Sequence, residues 1–203
     1  RRSAMIVVNP TASGLEQLKL VRSQLEAGHF ECIIVIDALE AQADSSKEKN
    51  TPVIEGAIPL SEAVGALDEL RLLVVIGSTN SSEGKDSRRL QDLIQKAAGR
   101  RCLIGLMGSA TQHLLNLKLP KKLRVSSTAE QLAVYKGKGI DSVLESCCTS
   151  QRWVTARGAD DSEVFTTALT SWFEKREADA ETAEKLLTAA RDLMASEEVA
   201  MAQ

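Results

Sequence analysis

Cys102-Leu-Ile-Gly-Leu-Met107-Gly108-Ser109-Ala110 is the stretch on which the fold of this chain turns. Residues 102–107 contain no polar side chain other than a thiol, which reads as a strand covered on both faces. The strand runs into a helix predicted over 110–117 through Gly105-x-Met107-x-Ser109. A nucleophile elbow needs this shape, because small residues two before and two after a central side chain let the chain turn sharply at the strand's C-terminal end. The centre here is Met107, whose thioether has no proton to lose and cannot act as an acyl-transfer nucleophile. On spacing alone, the same stretch is also an ordinary strand-to-helix connection of a doubly wound sheet.

Outward from this stretch, short β-branched runs alternate with amphipathic segments. Met5-Val8 is a first strand, closed by Asn9-Pro10. Leu15, Leu18, Val21 and Leu25 recur at helical spacing, so 14–27 is a helix ended by Gly28. Strands follow over 30–39 and 70–76, with a polar loop at 40–50 and a short extended piece at 52–58 between them. The helix over 87–98 presents Leu90, Leu93, Ile94 and Ala97 on one face. Leu123-Val125 is short and extended, and 143–147 with 152–156 suggest a hairpin. Asp160 and Glu163 form a capping pattern ahead of a helix to Phe173, and an Ala- and Glu-rich second helix covers 177–195. Such alternation with continuous apolar strands predicts an α/β three-layer sandwich with a mostly parallel central sheet. We expect a single domain over 1–203, with 177–203 as a helical extension, and strands 70–76 and 102–107 adjacent at the centre.

Composition narrows the function. The formal charge is −3 with no block of five like charges, and aromatics are 3% of residues. Neither a duplex-binding surface nor a stacking platform for single strands is expected. Pro120-Lys121-Lys122 with Arg124 reads as a small solvated basic turn. Four Cys (32, 102, 147 and 148) lie in or beside apolar runs without C-x-x-C spacing, and there are only two His. Buried thiols in a reducing cytoplasm, with no metal site and no cofactor, are the expectation. No apolar run approaches the length of a spanning helix. Because the chain opens on Arg1-Arg2, with Met5 a candidate start, it is expected to be a trimmed product or a piece of something longer.

Two nucleotide signatures fail. In Gly77-Ser78-Thr-Asn-Ser-Ser-Glu-Gly84-Lys85 the glycines are too far apart for a phosphate loop, and Asp86 stands where Ser or Thr should hold magnesium. No G-x-G-x-x-G follows the first strand. Ser109 and His113 would share a helix face, but no third group orients them as a dyad.

In order and spacing, Leu72-Val-Val-Ile-Gly77-Ser78, Leu103-Ile-Gly-Leu-Met107-Gly-Ser-Ala110, Leu123-Arg-Val-Ser-Ser-Thr128 and Trp153-Val-Thr-Ala-Arg157-Gly158 resemble the ThiJ/PfpI superfamily over about residues 5–175. The resemblance implies a flavodoxin-like, class I glutamine-amidotransferase-like fold. Where that family places its nucleophilic Cys this chain has Met107, and Thr128 stands where many members carry a His. The family's acidic residue falls near Pro10, the nearest carboxylate being Glu16 inside the helix. No catalytic residue is therefore assigned. The branch it most resembles is the N-terminal effector domain of AraC-type transcription regulators. That likeness implies ligand sensing and homodimerisation, with DNA bound through a separate helix-turn-helix region outside these residues. The alternatives are a standalone hydrolase or glyoxalase of the superfamily, or a pseudoenzyme used for assembly. A small polar or anionic ligand is expected where Gly77, Ser78, Met107, Gly108 and Ser109 converge at the strand ends, with Thr128 and Arg157 facing inward.

Overall fold

Parallel strands bring equivalent residues abreast, so the register divides the core between two faces of one sheet. The computed structural model describes residues 2–9, 11–36, 54–77 and 85–201. The expected loop at 40–50, Ser78 and the end of the strand beyond Ile36 lie outside the described residues. Strands β1 (Arg2–Val8), β2 (Phe30–Ile36), β3 (Ile58–Pro59), β4 (Leu70–Ile76), β5 (Leu103–Met107), β8 (Cys147–Ser150) and β9 (Trp153–Ala156) form one sheet in the order β3-β2-β1-β4-β5-β9-β8. Every pairing in it is parallel except β8 with β9. The two strands expected at the centre, β4 and β5, are adjacent there.

Met5, Leu73, Ile104 and Trp153 lie side by side across β1, β4, β5 and β9. They share a buried cluster with Leu90, Leu93 and Ile94 of α3 (Lys85–Gly99). On the other face, Ile6, Val74, Gly105 and Val154 are abreast. That face meets Phe165 and Leu169 of α5 (Ser162–Met201), which close on Gly105. Helix α1 (Ala12–Ala27) packs on β1, β2 and β4 and buries Leu18, Val21 and Leu25 outside the first cluster. Helices thus cover both faces, the arrangement that lets strands be apolar throughout. Helix α1 starts and stops on local chemistry: the Thr11 hydroxyl accepts from the Gly14 N–H at 3.1 Å, and Gly28 follows the last turn.

Several elements differ from the sequence reading, among them helix α2 (Leu60–Ala63) with the 3₁₀ turn Val64–Ala66, where none was expected. The helix expected over 110–117 is a nine-residue 3₁₀ helix, Gly108–Asn116. In its first turn the Thr111 hydroxyl donates to the Gly108 carbonyl at 2.8 Å, a side-chain bond that competes with regular α geometry. Helix α4 (Ala129–Gly137) was not anticipated, although Thr128 and Gln131 make a full capping box at its start. The strand expected over 143–147 splits. β7 (Asp141–Val143) leaves to pair with β6 (Arg124–Ser126) in a separate two-stranded sheet, and β8 turns through Gln151 at φ 56° into β9. Finally, the two C-terminal helices are one helix, because no Gly or Pro interrupts Ser162–Met201.

The chain divides into two compact units, 1–169 and 170–203, with the boundary inside α5. In the second unit Glu181 and Lys185 pair at 2.8 Å one turn apart, and the Arg176 guanidinium lies over the Trp172 ring. No described helix is long and apolar enough to cross a membrane.

Candidate functional site

The C-terminal ends of β4 and β5 meet in a turn whose backbone dictates what can stand there. Met107 ends β5 in ordinary extended geometry, φ −124° and ψ 136°. The left-handed residue is the next one, Gly108, at φ 66°. Since the strained residue of an elbow is the one that projects its side chain into the crevice, the elbow centre is Gly108 and not Met107. The expectation for Met107 is corrected accordingly. Its side chain is wholly buried, with its sulfur 3.4 Å from the Ser162 hydroxyl at the start of α5. It belongs to the core and walls no crevice.

Around this turn the glycines collect. The Gly77 N–H donates to the Met107 carbonyl at 3.1 Å, which brings the end of β4 against the elbow. A Cβ on Gly77 would lie 3.6 Å from the Ser109 Oγ, and one on Gly108 would lie 3.8 Å from the Gly158 Cα. Gly77, Gly108, Ser109 and Gly158 are therefore neighbours. Ser109 Oγ is shielded from water and has no hydrogen-bond partner among the described residues, a state that costs about 1–3 kcal/mol when nothing satisfies it.

Two expected ligand contacts are otherwise engaged. The Thr128 hydroxyl accepts from the Gln131 N–H at 3.3 Å, and the Gln131 side chain returns a bond to the Thr128 N–H. Gln131 Nε2 in turn donates to Thr111, which holds the Gly108 carbonyl. Thr128 thus supports the elbow at two removes, with its own hydroxyl used as a cap. Arg157 is exposed rather than turned inward. Its guanidinium donates to Ser146 Oγ at 3.1 Å and pairs with Asp161 at 3.5 Å. Only its backbone carbonyl borders Gly108. Sequence reading missed Thr111, Gln131, Ser146 and Asp161. The Thr128-x-x-Gln131 capping pattern was the one legible signal for any of them.

Among the described residues no ready acid–base pair stands beside the turn. Glu16 is exposed on α1, whose first turn carries no acid. His113 is buried five residues past the elbow, and desolvation holds its pKa below the ordinary imidazole value. The unpartnered Ser109 hydroxyl makes no hydrogen bond to it. All four thiols are unpaired and pushed up by burial, Cys32 to about 11 and Cys147 to about 12. Among the described residues no group of three His, Cys, Asp or Glu is placed to hold a metal ion.

His113 makes a pH prediction. Its folded pKa lies below its unfolded value, so below about pH 6.5 the unfolded chain binds the extra proton first and stability falls with pH. The loss continues until pH passes the folded pKa. Thermal denaturation between pH 7.5 and 5 should show Tm falling, and His113→Gln should flatten that fall. An equal slope in the variant would remove His113 as its cause.

No protein-family model and no curated protein sequence matches the chain. Solved structures do. A two-domain protein from Anabaena variabilis with DJ-1/ThiJ/PfpI-like and ferritin-like domains superposes with a TM-score of 0.66 at 16% identity over 85% of this chain. The chain spans 50% of that protein's length. A ThiJ/PfpI domain protein from Brachyspira murdochii gives 0.63 at 17% identity, covering 85% of this chain and 96% of the other. An AraC family transcriptional regulator from Pseudomonas putida gives 0.59 at 16% identity, covering 83% and 89%. Likeness at these identities is likeness of fold. The mostly parallel sheet and its helical layers are those of a ThiJ/PfpI-like, flavodoxin-like α/β sandwich, shared in architecture with an AraC family regulator.

Proposed function

We propose that this chain is the ligand-sensing, dimerising and non-catalytic part of an AraC-type transcription regulator, acting in a reducing cytoplasm and contacting DNA only through a separate domain. The observation that carries the reading is Gly108 at φ 66°: the one residue of the turn that would project a nucleophile has no side chain. Cys32, Cys102, Cys147 and Cys148 lie on other elements, with their thiolate forms disfavoured by burial. The orphan Ser109 hydroxyl and the N–H groups that open the 3₁₀ helix suit a small polar or anionic ligand between Gly77 and Gly158. Their electrostatic pull is worth about 0.3–1 kcal/mol for an exposed anion, so the shape of the pocket must supply the rest of the affinity. The regulator assignment draws on the likeness to the Pseudomonas putida structure. Dimerisation draws on the second unit, where Leu186, Leu187 and Met194 are 68, 53 and 67% exposed.

Thermal-shift screening against amino acids and small carboxylates tests the sensing reading. A saturating ligand at a hundred times its Kd stabilises by about 2.7 kcal/mol. The expected shift is abolished by Ser109→Trp, which fills the space beside Gly77, and reduced by Ser109→Ala. A shift unchanged in both variants would place the ligand elsewhere. Esterase, amidase and glyoxalase assays should stay at background, and turnover that disappears in Ser109→Ala would make the chain an enzyme. Light scattering should give a dimer, and a monomer at high concentration would remove that part of the reading.

A further inference from the structure

We propose a second binding site, independent of the elbow, that takes a small amphipathic anion: a carboxylate on a short hydrocarbon tail. It is a groove of about 350 Å³ between the 3₁₀ helix with its following loop, Leu114–Leu123, and the turn from α4 into β7, Lys138–Asp141. The volume falls at the small end of the range for ligand sites, roughly 300–1,000 Å³. The groove lies at the C-terminal end of α4, whereas the Thr128–Gln131–Thr111 links that support the elbow leave from the N-terminal end. It shares no lining residue with Gly77, Gly108, Ser109 or Gly158.

Two features define the occupant. The floor is apolar: Leu114 and Leu123 are buried, while Leu117, Leu119 and Ile140 pack on the core with part of their surface still open. A hydrocarbon tail laid there removes from water what the fold itself leaves uncovered. The rim is cationic: Lys121, Lys122 and Lys138 line the groove, all exposed, and none forms an ion pair with a described residue. The only acid in the lining, Asp141, is already taken by Arg124 at 3.1 Å. Lys138 sits where a cation offsets the negative end of α4, but Lys121 and Lys122 come from a loop with no such end to offset.

The wider charge pattern agrees. Residues 118–138 hold six Lys and Arg and a single acid, Glu130, in a chain whose formal charge is −3. A groove lined by one sign of charge concentrates the opposite sign at its mouth. Ammonium groups act as compact point charges that attract an anionic head without fixing its orientation. The sequence alone gave a solvated basic turn; the tertiary structure adds Lys138 and the leucine floor to it.

The test is a calorimetric titration of the full chain with decanoate below its micelle concentration, with acetate and decylamine as comparison probes. Expected is saturable one-to-one binding of decanoate, at least tenfold weaker in Lys121→Glu/Lys122→Glu and in Lys138→Glu, and weakened as salt is raised. These side chains are exposed, so the variants should fold like the parent, and circular dichroism verifies it. Absence of saturable binding overturns the site, as does equal affinity in the charge-reversed variants. Acetate binding as well as decanoate removes the role of the leucine floor, and decylamine binding as well removes that of the lysines. Decanoate binding lost in Ser109→Trp but kept in the lysine variants would assign the ligand to the elbow and overturn this proposal alone.

Discussion

Gly108→Cys should produce a thiol that iodoacetamide alkylates at least about a hundredfold faster at pH 7.5 than Cys32 or Cys147. The native thiols are held up by burial, Cys32 to about 11 and Cys147 to about 12. For a group at such values well under about one molecule in a thousand is thiolate at that pH. An unburied thiol of pKa ~8.5 is about a tenth thiolate, and one at the start of a helix more so. The new Cβ would stand at ordinary van der Waals distance from its described neighbours, 3.8 Å from the Gly158 Cα and 4.0 Å from the Arg157 carbonyl. The left-handed backbone at φ 66° would cost a non-glycine residue about 1–2 kcal/mol, so the variant should fold with a lowered Tm. Mass spectrometry of native protein after timed alkylation measures the effect. If the introduced thiol were as slow as the native ones, the turn would be closed to solvent and the elbow could not be a ligand site. No turnover should accompany the reactivity, because the buried His113 lies elsewhere and Thr128 is spent as a cap.

Gly105→Ala should destabilise by about 1–3 kcal/mol, a loss of roughly 3–10 °C in Tm for a chain of this size. Gly105 lies in the middle of β5 with its Cα facing α5. A Cβ there would stand 2.8 Å from Phe165 Cζ and 3.1 Å from Leu169 Cδ2. Both side chains are 0% exposed, so neither can swing into water, and α5 would have to lift from the sheet. Phe165→Leu alone opens a cavity and also destabilises, yet combined with Gly105→Ala each change relieves the other. The double variant should therefore be more stable than the sum of the single losses by at least about 0.5 kcal/mol, measured by urea denaturation. Strict additivity would mean that β5 and α5 are not in this contact.

The layers of this molecule were legible in the residues, and the face each side chain uses was not. Ala4–Val8, Leu72–Ile76 and Leu103–Met107 are apolar without a break, and a run of that kind is stable only when covered on both faces. Helix α1 was marked by the helical spacing of Leu15, Leu18, Val21 and Leu25 and by its Gly28 stop. Those signals are local, so they sufficed for the sheet, its central pair of strands and the α/β class. Two further features were written in the sequence and went unread: the Thr128-x-x-Gln131 box ahead of α4, and the absence of Gly or Pro that makes Ser162–Met201 one helix. Other features belonged to tertiary structure alone. Spacing could not decide between Met107 and Gly108 as the elbow, because the assignment depends on which φ turns positive when β5 is pinned between β4 and β9. Nor could spacing send the Met107 sulfur to Ser162, 55 residues away, or bring Lys138 over the leucines beside Lys121 and Lys122. Local pattern determines which segments must be buried. Long-range packing determines which residues are left at the strand ends and grooves.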